Sequence, residues 1–362
     1  MIASLSDLFR KDSSVLGIDI GTSSLKILQI KKEKERAVLE TYGELSTGAY
    51  TGTEAGRAIL LMDEKVSQMI TDLKKEAGVT ASHAMVAVPL RYSFITAIEM
   101  PDLNDAELQD AIQFEARRYI PIPLSDVVLE WWRLEDTEPI TPTPSQKKKT
   151  VSVLLAAVQR EVVEKYKRIL ADAGVEYIGF EVEVFSASRV LASRIRSAVM
   201  LIDIGALSTK ISIVDRGVVH AVHNVDRASQ AFTLAMSQSL GVDFKRAEQM
   251  KHDIGMADRP EAAGIRHTIT PLLDSLFDEA DRLRAAYRRK SGSTVDKVFL
   301  SGGGSLMPGL MEYSIERMGL EVLAANPFSS LEYPAIMQPV IKKIAPSFSV
   351  STGLALRALG AE

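Results

Sequence analysis

The stretch 15–30 sets an acid and several small polar residues between two apolar segments. Asp19 ends the first segment, and an acid at the end of a buried strand costs free energy unless it meets a cation, so it predicts a metal ion or its water shell. Glycine and hydroxyl residues at a tight turn offer N–H and O–H donors to an anion. The polar residues that follow are Gly21, Thr22, Ser23, Ser24 and Lys26. The pattern predicts a hairpin, for which a polar turn without a ligand is the simpler explanation when it occurs once.

The same order of residues returns in the stretch 199–213. Asp203 again ends an apolar segment, and an alternating apolar segment follows the turn. The small residues and the lysine of this copy are Gly205, Ala206, Ser208, Thr209 and Lys210. A hairpin that repeats about half a chain later indicates two similar halves that face each other. The two turns would then hold one phosphate-bearing ligand in the cleft between the halves.

A third motif is the triple glycine Gly302, Gly303 and Gly304, which follows the apolar segment 295–300. Glycines between a strand and a helix let the backbone approach a flat ligand or a phosphate closely. Without the other two motifs, a flexible loop explains this run equally well.

The elements between these motifs form a β-α-β-β-α pattern over 83–175, which predicts an inserted unit. Its helix 106–119 is capped by Asn104 or Asp105. Ahead of this unit, 54–77 is predicted as one long helix that ends at a glycine.

Composition excludes several classes of protein. The 362 residues carry a net charge of −4, which does not favour nucleic-acid binding. The absence of cysteine excludes disulfides and thiolate metal sites and fits a reducing cytoplasm. No apolar run reaches the roughly 18 residues of a membrane span. The first 14 residues have apolar side chains at helical spacing and predict either an interfacial helix or a packed N-terminus.

Together the three motifs resemble the actin-like ATPase superfamily, over essentially the whole chain. The resemblance implies an α/β fold of two similar halves, each with a central mixed sheet, that bind ATP and Mg²⁺ between them. The two hairpins correspond to its phosphate loops, and Gly302–Gly304 with Leu306 to its adenosine loop. Glu248 and Lys251 fall where the superfamily contacts the ribose. The metal would be held by Asp19 and Asp203, directly or through water.

The inserted unit resembles the 1C subdomain of the FtsA branch, and the sequences of 86–127 and 300–310 are closer to the PilM family. That resemblance implies a cytoplasmic scaffold, peripheral on the inner membrane of a type IV pilus or related secretion system. The partner implied is the N-terminal cytoplasmic tail of a PilN-like membrane protein, with other platform or motor components and a homo-oligomer as further possibilities. ATP binding is expected, and hydrolysis is expected to be weak or absent.

The same resemblance implies a division of the chain. The first half comprises 1–82, 176–198 and 340–362. The inserted unit is 83–175. The second half is 199–339 and includes a helical subdomain at 242–292.

Two departures and two alternatives stay open at this stage. Ala228-Ser229-Gln230 stands where relatives carry a Gly-Gly pair, and neither Glu181 nor Glu183 aligns securely with the residue that positions water in hydrolytic relatives. The alternative functions are an FtsA-like filament protein that tethers to the membrane and, less favoured, a small-molecule kinase.

Overall fold

The computed structural model describes residues 14–134 and 150–360. The N-terminal stretch predicted as an interfacial helix or a packed N-terminus lies almost wholly outside these residues. The strands are β1 (Val15–Ile20), β2 (Ser24–Glu33), β3 (Arg36–Ser46), β4 (His83–Val88), β5 (Ser93–Pro101), β6 (Val127–Arg133), β7 (Thr150–Gln159), β8 (Glu176–Val182), β9 (Val199–Ile204), β10 (Thr209–Asp215), β11 (Val218–Val225), β12 (Lys297–Ser301) and β13 (Glu321–Ala324).

The helices alternate with these strands. They are α1 (Gly48–Thr51), α2 (Asp63–Glu76), α3 (Asp105–Glu115), α4 (Arg160–Asp172), α5 (Glu183–Ala192), α6 (Ser229–Leu240), α7 (Phe244–Asp253), α8 (Ala263–Ser291), α9 (Leu310–Met318), α10 (Gln338–Ile344) and α11 (Ser349–Ala358). Asn104, one of the two predicted caps, begins α3 in a full capping box with Glu107.

Two five-stranded sheets have the same internal order, which confirms the predicted pair of similar halves. The first is ordered β3-β2-β1-β4-β8 and the second β11-β10-β9-β12-β13. In each, an antiparallel three-strand meander is followed by parallel strands added beside its first strand. Both leading strands, β1 and β9, are almost wholly buried, because helices cover both faces of each sheet.

The inserted unit is smaller than predicted. Its own sheet contains β5, β7 and β6 in that order, and α3 packs on it. Strand β4 pairs with β1 in the first sheet, and α4 packs into the core of the first half through Tyr166 and Ile169. The predicted boundaries 83–175 are therefore too wide at both ends, because the continuous apolar run of β4 does not reveal which sheet it joins.

Two other predicted boundaries move for packing reasons. The chain returns to the first half before residue 340, since Phe328 and Leu331 are buried with Val15 and Leu28. The predicted helix 54–77 begins only at Asp63. Its first part is instead an irregular segment that hydrogen-bonds to both halves. The N–H of Ile59 donates to the carbonyl of Thr22 in the first half, and the N–H of Ala58 donates to the side chain of Gln230 in the second.

Candidate functional site

The two Asp-Ile-Gly turns face each other across a cleft of about 1280 Å³ between the halves. Each turn closes with the same hydrogen bond: the N–H of Gly21 donates to the carbonyl of Ser24, and the N–H of Gly205 donates to that of Ser208, both at 3.1 Å. The cleft is walled by both turns and by the triple-glycine loop. Three motifs that are far apart in the chain thus meet at one site.

Most of the predicted site residues line this cleft. They are Asp19, Gly21, Thr22, Ser23, Ser24, Lys26, Asp203, Gly205, Ala206, Ser208, Glu248, Gly302, Gly303 and Gly304. Thr209, Lys251 and Leu306 lie outside its lining. Thr209 is fully buried and donates its hydroxyl hydrogen bond to the carbonyl of Arg227 at 2.7 Å, so its side chain is already used in the fold.

Each hairpin pairs its aspartate with a lysine on the neighbouring strand. Asp19 lies opposite Lys26, and Asp203 lies opposite Lys210. Lys26 donates to the hydroxyl of Ser24 at 2.7 Å and forms an ion pair with Glu44 at 3.2 Å. The cross-strand pairing follows from the repeated spacing, and it sets a cation beside each turn.

The two acids that surround Lys210, one from each half, are already engaged. The Lys210 ammonium lies 2.9 Å from Glu183 Oε2 and 3.5 Å from Asp203 Oδ2. Ser301 donates to Asp203 Oδ1 at 3.1 Å, and the Leu90 N–H donates to Glu183 Oε1 at 2.8 Å. Burial lowers the pKa of Lys210, but the charges of Glu183 and Asp203 outweigh it and raise that pKa overall.

Asp19 is an acid of the cleft whose ionised form is disfavoured by burial. Burial raises its pKa to about 6, against the opposing charge of Lys26, and Glu183 raises it further. Because the folded-state pKa is above the unfolded value of 3.8, ionised Asp19 destabilises the fold above pH 6, and this penalty disappears below about pH 4.

We therefore expect Asp19→Asn to stabilise the protein by roughly 2 kcal/mol at pH 8 and by almost nothing at pH 4. Urea unfolding at the two pH values measures the difference. Asp296→Asn, which changes an exposed aspartate, is the matched control and should change stability at neither pH. A gain that is the same at both pH values would contradict the assignment.

The triple-glycine loop packs tightly against the end of β9. A Cβ atom on Gly304 would lie 2.5 Å from Ile204 Cγ2, so a side chain is excluded there. Gly302 has a φ of 82°, and its N–H donates to the carbonyl of Pro346 at 2.8 Å. Gly303 has open space where its side chain would be, which leaves that part of the cleft accessible to a flat ligand.

Glu248 lines the cleft through a buried ionic network. Its carboxylate is 2.7 Å from the ammonium of Lys251 and 3.1 Å from Nε2 of His252, and Thr233 also donates to it. Burial raises the pKa of Glu248, but the hydrogen bond from His252 and the charge of Lys251 outweigh it and lower the pKa to about 2. Lys251, only 2% exposed, supports Glu248 from behind instead of lining the cleft itself.

A second cavity of about 280 Å³, which we name the groove, adjoins the cleft and lies mainly within the first half, between the first hairpin, α2 and α4. It is lined by the apolar residues Leu60 and Val162, by Tyr166, and by the charged residues Glu161 and Lys165. Four residues line both cavities, namely Ile20, Gly21, Thr22 and Arg91. The tip of the first hairpin is thus a wall common to the cleft and the groove.

A family model described as type IV pilus assembly protein PilM matches residues 17–359. This chain belongs to the PilM family. The resemblance noted in the sequence is thereby confirmed. Within the described residues, none of the helices combines the length and apolarity that a bilayer span requires.

Solved structures agree with this membership. A PilM-PilN type IV pilus biogenesis complex is 25% identical, with a TM-score of 0.79 over 95% of this chain and 98% of that one. The ethanolamine utilization protein EutJ from Carboxydothermus hydrogenoformans is 15% identical, with a TM-score of 0.55 over 95% and 89%. MreB5 of Spiroplasma citri bound to ADP is 12% identical, with a TM-score of 0.53 over 95% of each chain. The last two share the fold alone, and the predicted actin-like fold is confirmed.

Several residues of this PilM-family cleft were not predicted as site residues. Lys210 occupies in the second hairpin the position of Lys26 in the first, so the repeat itself could have identified it. Glu183 at the start of α5 turns into the cleft, whereas Glu181 is buried away from it in a bidentate pair with Arg189 at 2.7 Å. Sequence alone did not distinguish these two acids.

The departure at Ala228-Ser229-Gln230 has a structural role in this PilM-family chain. The N–H groups of Ser229 and Gln230 donate to the carbonyls of Gly205 and Ala206 at 3.1 and 3.0 Å. The Gln230 side chain accepts a 2.5 Å hydrogen bond from the N–H of Ala58, in the irregular segment of the first half. This contact connects the two halves beside the cleft.

Proposed function

We propose that this PilM-family protein is a cytoplasmic, nucleotide-binding scaffold of a type IV pilus inner-membrane platform. It binds ATP in the cleft and the N-terminal cytoplasmic tail of a PilN-like membrane protein in the groove, and it reaches the membrane through that partner. The family membership supports the pilus role, the PilM-PilN complex supports the partner, and the relative bound to ADP supports the nucleotide.

The chemistry of the cleft suits a nucleotide. The turns at Gly21–Ser24 and Gly205–Ser208 offer backbone N–H and hydroxyl donors to phosphate oxygens. Lys26 and Lys210 add positive charge, and the open face of Gly303 suits a purine. The triple-glycine loop brings its backbone close to that part of the cleft.

Asp19 suits a magnesium ion that keeps most of its water shell. No group of three or more carboxylate or histidine side chains is arranged for a metal anywhere in residues 14–134 or 150–360. Magnesium keeps much of its hydration shell beside a nucleotide, and a single half-buried carboxylate can accept from such waters. The bound ion would neutralise phosphate charge, while Asp19 orients its water shell.

The arrangement of Glu183 favours binding over hydrolysis. One of its oxygens accepts from the Leu90 N–H and the other is paired with Lys210, so each oxygen already has a partner that stabilises the ionised form. A carboxylate that is neutralised and held in this way is a poor general base.

The observation that carries the proposal is the wall shared by cleft and groove. The tip of the first hairpin contributes Ile20, Gly21 and Thr22 to both cavities, and the N–H of Ile59 in the groove donates to the carbonyl of Thr22 at 2.9 Å. A phosphate on one side of this turn and a peptide on the other therefore act on the same backbone, which would link the two binding equilibria.

Leu60 provides the test of the groove. It lines the groove and is 66% exposed, so its side chain is available to an apolar residue of the tail. Replacing Leu60 with Asp removes that apolar surface and introduces a charge, and we expect the affinity for the tail peptide to fall at least about tenfold.

Calorimetric titration with a synthetic peptide of the PilN-like tail measures the change. Ile315→Asp alters a similarly exposed apolar residue on α9, in the other half, and should leave the affinity unchanged. A tail that fails to bind the wild-type protein, or that binds Leu60→Asp equally well, would reject the groove as its site.

A further inference from the structure

The ammonium group of Lys210 lies inside the cleft, next to the turn of the second hairpin. Its side chain is 13% exposed and forms ion pairs with Glu183 at 2.9 Å and with Asp203 at 3.5 Å. A Cβ atom built on Gly205 would lie 3.3 Å from Nζ, so the ammonium sits against the glycine of that turn. Any phosphate that the turn binds would meet this charge.

The hydrogen-bonding capacity of the ammonium leaves room for a ligand. A lysine carries three N–H donors, and Glu183 and Asp203 each take at most one. Lys210 lines the cleft, so the third donor can reach an anion there. Asp203 is in contrast well satisfied, since it accepts from Ser301 at 3.1 Å in addition to its pairing with Lys210.

Lys26, the counterpart of Lys210 in the first hairpin, is placed differently. Its side chain is as buried as that of Lys210, at 11% against 13% exposure, but it is paired with Glu44, which is 43% exposed. Lys210 instead joins Glu183 of the first half to Asp203 of the second, and both of these acids are mostly buried. The two lysines therefore differ in the acids they neutralise, although they share a position in the repeat.

We propose that the ammonium of Lys210 takes the place beside Asp203 that a divalent cation would otherwise occupy. Nucleotide binding would then depend only weakly on Mg²⁺. This inference rests on the proposed function, because it concerns how the same cleft holds phosphate. Asp203 would then be neutralised by Lys210 instead of by a metal ion, and Asp19 would be the acid that accepts hydrogen bonds from the water shell of a magnesium ion.

The test compares ADP affinity in Mg²⁺ with ADP affinity in EDTA, by calorimetry. For the wild type we expect the two dissociation constants to differ by less than about tenfold. For Lys210→Met, Glu183 and Asp203 remain without this cation, and we expect the difference to exceed about 30-fold, with Mg²⁺ restoring most of the affinity. Lys297→Met removes a lysine from the surface pair with Glu321 in the same half and should behave as the wild type.

Lys210→Met leaves two buried carboxylates without their partner and could prevent folding, so a second variant is needed to test the proposal. Lys210→Met combined with Glu183→Gln has the same net charge as the wild type but no ammonium beside Asp203. We expect it to show the same strong dependence on Mg²⁺, with a thermal unfolding midpoint closer to that of the wild type.

Each outcome decides one question. A wild-type protein that needs Mg²⁺ as strongly as Lys210→Met overturns the role of Lys210 and leaves nucleotide binding intact. A double variant as independent of Mg²⁺ as the wild type overturns it as well, because net charge would then suffice. If the folded wild type binds no ADP under either condition, the proposed nucleotide site itself is rejected.

Discussion

Gly353→Ala is expected to destabilise the protein by about 3 kcal/mol or more. Gly353 lies in α11, where the backbone of that helix contacts α5. A Cβ atom there would press on the carbonyl oxygen of Ser186 and lie 2.5 Å from its carbonyl carbon. Backbone atoms cannot rotate away as a side chain can, so the two helices must separate. Urea unfolding followed by circular dichroism measures the loss.

Gly303→Ala is the matched control for this substitution. Gly303 is also a glycine within a helical turn, but no non-neighbouring atom lies within 4 Å of the position that its Cβ would take. We expect a change of less than about 0.5 kcal/mol there. If Gly353→Ala were equally mild, the close packing of α11 on α5 would be wrong.

Lys251→Met is expected to cost about 3 kcal/mol, because it leaves the carboxylate of Glu248 buried without its main counter-ion. Both side chains are largely inaccessible, at 2% and 8% exposure. The folded-state pKa of Glu248, about 2, lies below the unfolded-state value of 4.5, so its ionic stabilisation is present above pH 5 and is lost as the pH falls toward 2. The difference between wild type and variant should therefore shrink over that range.

Lys251→Met combined with Glu248→Gln separates the pair from simple packing. Removing both charges should recover much of the stability lost in the single variant, because no unpaired buried charge remains. Urea unfolding of the wild type, the two single variants and the double variant gives the coupling energy. Strictly additive losses would contradict an interaction between these side chains.

Local patterns predicted the motifs well because each one encodes its own turn. The Asp-Ile-Gly hairpins form where Asp19 and Asp203 end buried strands, and Asn104, one of the two predicted caps, begins α3. These features depend on residues within a few positions of each other, so alternation and turn chemistry suffice to identify them.

Features that depend on contacts between distant segments were predicted poorly. The segment ahead of Asp63 has helix-forming residues, yet it is irregular because Ala58 and Ile59 hydrogen-bond to Gln230 and to the first hairpin. The sheet to which β4 belongs, and the choice between Glu181 and Glu183 for the cleft, depend on neighbours that periodicity does not identify. Lys251 has the spacing of a site residue but is covered by the fold.

The most direct test of a nucleotide in the cleft is a calorimetric titration of ADP into the wild type and into Gly303→Phe. Gly303 lines the cleft and has open space at its Cβ, so a phenylalanine there should fill the cleft without straining the fold. We predict saturable binding of one ADP per chain in the wild type and at least about tenfold weaker binding in the variant, at an unchanged unfolding midpoint. Equal affinity in the two proteins, or no binding to the folded wild type, would contradict the nucleotide site.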